Sequence, residues 1–81
     1  MRIATWNVER LRHHRNLSEI IDACNQAKAD ILILTETDSQ VEPDYSFAYR
    51  IPYRRRVSLD KARIYVSNEV GMEYREVEYS E

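Results

Sequence analysis

A single cysteine, Cys24, rules out any disulfide within the chain, and no Cys/Cys or Cys/His spacing suited to a structural zinc exists. A reducing, cytoplasmic setting is the expectation. No apolar run is long enough to cross a bilayer, so no membrane partner is expected. The opening stretch MRIATWNVERLRHH lacks the apolar segment and small-residue cleavage site of a secretory signal. Repeats, low-complexity tracts and Gly/Ser linkers are missing as well. The 81 residues leave room for one domain at most. A globule of that size hides only about 60–65% of its unfolded surface, so any core is thin.

Apolar residues make up 43% of the chain, an ordinary share for a folded protein, while the charged share of 32% is high. The charges fall in blocks: +3 over Met1–Asn16, −6 over Leu17–Ala48, +5 over Tyr49–Arg63 and −4 over Ile64–Glu81. Blocks of this kind read first as complementary surfaces within one fold, although a basic block can also receive a phosphate.

Arg2–Val8 reads as a strand with no clearly polar face, so both of its faces are expected to be covered. Asn16 has the chemistry of a helix N-cap, with Glu19 completing a capping box. Leu17, Ile20, Ile21, Cys24 and Ala27 recur at helical spacing, which predicts a helix over Leu17–Lys28 with Cys24 in the core. The run Ala29-Asp30-Ile31-Leu32-Ile33-Leu34 follows as a buried strand. Strand, helix and strand in this order make a βαβ unit with parallel strands and a right-handed crossover.

The remainder reads as a loop around Pro43, then a strand interrupted by Pro52, which is confined to an edge. Ala62, Ile64 and Val66 alternate with Arg63, Tyr65 and Ser67, a strand with one wet face. A turn over Asn68–Gly71 leads to a further strand within MEYREVEY.

The parallel reading brings two polar residues to equivalent points, Asn7 at the carboxyl end of the first strand and Glu36 just past the apolar run of the second. Adjacent strands lie about 4.8 Å apart, and ligands of open α/β sheets bind at that end. A carboxylate beside an amide carbonyl offers two hard oxygens, a set suited to Mg²⁺ that keeps several waters.

The motifs RIATWNVER and, after one helix, ADILILTETD resemble the opening of the endonuclease/exonuclease/phosphatase superfamily, the DNase I-like fold. Trp6-Asn7, Ala29-Asp30-Ile31 and Glu36-Thr37 carry the likeness, with Thr35 where many members have Gln. The resemblance covers Met1–Asp38, and Ala62–Val70 is a looser match to a following strand. It implies an incomplete DNase I-like α/β sandwich, with residues 1–81 the N-terminal part of a longer domain. Glu36 would then be the main protein ligand of a catalytic Mg²⁺ or Mn²⁺, and Asn7 would position its water shell and the phosphate. The implied reaction is metal-dependent hydrolysis of a phosphodiester or phosphomonoester. The family's water-activating Asp, its Asp-x-Asn segment and its Ser-Asp-His motif have no counterpart here, so the isolated chain is expected to be inactive. His13 and His14 read as a solvated connector, and Asp38 as a turn residue.

Tyr49–Arg56 reads first as a solvated edge whose arginines pair with the acidic blocks on either side. Its arginines interleaved with tyrosines could also grip phosphates while rings stack on bases, making Arg54, Arg55 and Arg56 candidates for phosphate or nucleic-acid contact. Two readings stand beside the enzymatic one. One is a non-catalytic interaction module that binds a partner chain, which could be a second copy, through its exposed strand edges or through the Tyr/Arg segment. The other is a small nucleic-acid-binding domain.

Overall fold

The computed structural model describes residues 1–9, 17–55 and 58–69. Asn16, His13, His14, Arg56, Gly71 and the strand expected within MEYREVEY lie outside the described residues. Among the described residues, four strands and one helix follow in the order β1 (Ile3–Asn7), α1 (Leu17–Ala27), β2 (Ile31–Thr37), β3 (Ser46–Pro52) and β4 (Asp60–Val66). They form one mixed sheet of order β1-β2-β4-β3, an α/β arrangement with β1 and β2 parallel and the other pairs antiparallel. The expected βαβ unit is therefore present.

Helix α1 forms where the apolar spacing placed it, with Ile20 and Cys24 fully buried against Leu32, Leu34 and Val8. Burying Ile20, Leu32 and Leu34 contributes about 2 kcal/mol each. The helix stops one residue short of the expected end because Lys28 takes φ 46°, the left-handed turn that commonly closes a helix. Tyr45 secures that terminus: its hydroxyl accepts the Ala29 N–H at 3.0 Å and donates to the Cys24 carbonyl at 3.1 Å. At the amino end of the two strands, the Arg2 N–H donates to Asp30 Oδ2 at 2.7 Å while the Asp30 N–H donates to the Arg2 carbonyl at 2.8 Å. These two bonds lock the register of β1 on β2.

Two expectations need correction. Both faces of β1 were expected to be covered, yet among the described residues only one is. Ala4 and Trp6 pack toward α1, whereas Ile3 is 59% exposed. The two faces of β4 are also exchanged. Tyr65 is its core residue, buried and donating its hydroxyl to the Val41 carbonyl at 3.2 Å, while Ile64 and Val66 look away from α1 and are half-buried. Tyr65 prevails because its ring fills more volume on the helix side and its hydroxyl finds a partner there. Strand β3 is the edge strand that Pro52 called for, with register shifts between Phe47 and Tyr49 and between Ile51 and Pro52.

Candidate metal centre

Strands β1 and β2 run side by side with Asn7 the register partner of Thr35. Glu36 is thus one residue past the last β1–β2 pair, still inside β2, whose pairing with β4 continues to Thr37 and Asp60. The two sequence-predicted site residues do lie at the same end of adjacent parallel strands. Asn7 is exposed and ends its strand with a tight turn, its Oδ1 accepting the Glu9 N–H at 3.0 Å while Glu9 takes φ 57°. The Val8 N–H continues the ladder for one further bond, to the Thr35 carbonyl at 2.9 Å.

Glu36 is half-buried and holds φ 51°, in the left-handed region. A side chain with a Cβ adopts that backbone at a cost of about 1–3 kcal/mol, and such strain concentrates at functional positions. The backbone twist breaks the two-residue alternation of β2, so that Leu34 and Thr37, three residues apart, are both fully buried. Among the described residues no cation lies within ion-pair distance of Glu36. Lys61, on the neighbouring strand, instead carries its ammonium over the Tyr53 ring, 5.9 Å from the centroid. Next to Glu36, the Thr37 Oγ1 is buried with no hydrogen-bond partner among the described residues. In the sequence, Thr37 is marked only by the Glu36-Thr37 match, with no role of its own.

Asp38 acts as the turn residue it was expected to be, its Oδ1 accepting the Gln40 N–H at 2.9 Å and its carbonyl the Val41 N–H at 3.2 Å. The basic segment divides. Arg54 and Arg55 are exposed beyond the end of β3. Arg50 and Arg63 instead converge on buried Asp60, with Nε to carboxylate distances of 3.3 and 2.6 Å. Burial pulls the Arg63 guanidinium toward its neutral form, but hydrogen bonds to Tyr65 and Asp60 outweigh it and raise its pKa above the usual value. This network escaped the sequence reading because Asp60 is a lone acid inside a basic block.

Among the described residues no group of three or more His, Cys, Asp or Glu side chains converges to form a cage. By their chemistry, a lone carboxylate and an amide oxygen would suit only a hard, largely hydrated ion. A separate polar cleft of about 470 Å³ opens at the opposite end of the sheet, lined by Asn25, Asp44 and Asn68 among others. No helix among the described residues is long and apolar enough to cross a membrane. Comparison with family models, curated proteins and solved structures finds no match to this chain.

Proposed function

We propose that the chain is the N-terminal part of a divalent-metal-dependent phosphoesterase of the endonuclease/exonuclease/phosphatase type, with an incomplete DNase I-like sandwich. The observation that carries this reading is Glu36: a half-buried carboxylate on a left-handed backbone, one residue past Asn7's register partner, with no described cation beside it. An external cation would neutralise such a group, and none of the described residues does so. Glu36 would hold Mg²⁺ or Mn²⁺ directly. The Asn7 carbonyl oxygen, already accepting the Glu9 N–H, has one lone pair left for a metal-bound water, and its amide hydrogens suit a phosphate oxygen. When bound, the cation withdraws charge from a phosphoryl oxygen of the substrate. Exposed Arg54 and Arg55, with Arg56 beyond them, add positive charge for a phosphate ester or nucleic acid. No residue here takes the role of the family's water-activating Asp or its phosphate-binding His, so the isolated chain is proposed to bind metal without turnover.

The test is Mn²⁺ titration followed by amide NMR. Selective paramagnetic broadening of Asn7, Glu36 and Thr37, with affinity on the order of 1 mM, is expected. Glu36→Gln should abolish it. Uniform broadening, or broadening that survives Glu36→Gln, would remove the metal reading. The alternative of a non-catalytic interaction module is favoured by a different observation, the exposure of Ile3, Tyr49 and Ile51 on the sheet face turned from α1.

A further inference from the structure

We propose that Arg50, fixed by buried Asp60 on the edge strand β3, is the receiving group of a phosphate-binding site on the α1 side of the sheet. Register sets the side. Arg50 pairs with Arg63 and Phe47 with Tyr65, while Arg63 and Tyr65 pair with Leu34 and Leu32, which pack with Ile20 and Cys24 of α1. The site is therefore not on the face that a second sheet of the sandwich would cover. It involves neither Asn7 nor Glu36 and does not depend on the metal reading.

Two guanidiniums share one carboxylate here. Arg63 Nε lies 2.6 Å from Asp60 Oδ2 and Arg50 Nε 3.3 Å from Oδ1. The two arginines differ in what they have left to offer. Arg63 is 14% exposed, with Nη1 donating to the Tyr65 hydroxyl and its guanidinium over the Phe47 ring. It is used up inside the fold. Arg50 is 50% exposed, and among the described residues Asp60 is its one partner.

A single carboxylate neutralises one of the two charges, and Arg63 holds it at the shorter distance. Arg50 keeps surplus positive charge directly opposite a like charge on the neighbouring strand, an arrangement that costs stability. A second anion on the outer N–H groups of Arg50 removes that cost. Carboxylate and phosphate both match the planar fork. Exposed Arg54, Arg55 and Lys61 favour the more highly charged phosphate. Asp60, 5% exposed and fastened by Arg63, orients the Arg50 guanidinium in advance, so little side-chain freedom is lost on binding. Phe47, 52% exposed, stands on the same side of β3, two register rows from Arg50. That is about 7 Å along the strand. A phosphate carried by a planar ring would rest the ring there, whereas free phosphate would use Arg50 alone.

Titration of the 81-residue protein with inorganic phosphate tests the site through the Arg50 Nε–H resonance, without divalent metal and with chloride holding the ionic strength constant. A saturable shift is expected, with Kd on the order of 1 mM. Arg50→Lys keeps the charge and loses the fork, so affinity should fall roughly fivefold or more. Arg54→Gln removes a charge and keeps the fork, and should cost less than about twofold. Neither side chain is buried, so both variants should keep the wild-type circular dichroism. A second arm with adenosine monophosphate names the source of the phosphate. Tighter binding than inorganic phosphate, lost in Phe47→Ala, assigns it to a nucleotide, and equal binding assigns it to free phosphate. Shifts that fail to saturate by about 50 mM, unchanged affinity in Arg50→Lys, or equal losses in Arg50→Lys and Arg54→Gln would each overturn the proposal.

Discussion

Arg63 Nε donates to Asp60 Oδ2 at 2.6 Å, joining two side chains that are only 14% and 5% exposed. Three residues apart on β4, they meet because Asp60 and Pro52 are register partners after a shift, which turns Asp60 back toward the helix side. Arg63 also lies over the Phe47 ring, 5.2 Å from its centroid, and Phe47 meets Tyr65 edge-on. One acid thus anchors a cluster of two arginines and two aromatic rings.

Asp60→Ala leaves a part-buried guanidinium without its main partner and should destabilise the fold by about 3 kcal/mol. Replacing both charges, Asp60→Leu with Arg63→Met, should cost clearly less than Asp60→Ala alone, since desolvation of the pair is relieved. Urea unfolding of the two variants makes the comparison. An equal or larger loss in the double variant would show that the ion pair is not what Asp60 contributes.

Glu36 and Lys28 share left-handed backbone, at φ 51° and 46°, and glycine relieves that strain at either site. Lys28→Gly and Glu36→Gly should each stabilise by about 0.5–1 kcal/mol, raising Tm by roughly 2–8 °C. Only Glu36→Gly should also erase Mn²⁺ broadening. Stability gained together with metal affinity lost would mark Glu36 as a residue kept for its carboxylate. Thermal melts in the presence and absence of Mn²⁺ separate the two effects.

Cys24 should be inert to thiol reagents in the folded state. It is 1% exposed, and burial pushes its pKa above the model-compound value of 9.0, partly opposed by a backbone hydrogen bond. Because the folded thiol holds its proton more tightly than the unfolded one, its contribution to stability is fully present below pH 9.0. That contribution is lost as pH rises from there through the higher folded value. Alkylation at neutral pH should follow the rate of unfolding. Between pH 8 and 10, wild type should lose more stability than Cys24→Ala, by up to about 1.4 kcal/mol per pH unit. Parallel pH profiles for the two proteins would contradict this.

Local pattern was enough for the first half of the chain. The apolar stripe of Leu17, Ile20, Ile21 and Cys24 defines a helix wherever it packs, and the run from Ile31 to Leu34 needs a sheet interior. Their order forces β1 and β2 to be parallel neighbours, which in turn brings Asn7 and Glu36 to one end. Those statements depend on periodicity and connection length, properties that a sequence carries in itself.

Tertiary structure decided the rest. Alternation in β4 separates Tyr65 from Ile64 but cannot say which of them meets the helix; the hand of the crossover and the volume under α1 choose Tyr65. Val41, in a stretch that reads as loop, is completely buried because Tyr65 reaches its carbonyl. The strained backbone at Glu36, the joining of Asp60 to two arginines and the exposure of Ile3 and Ile51 all depend on how segments distant in the chain are placed. A residue's neighbours across a sheet are set by register and by the side on which the helix crosses, and neither is written in the residue's own vicinity.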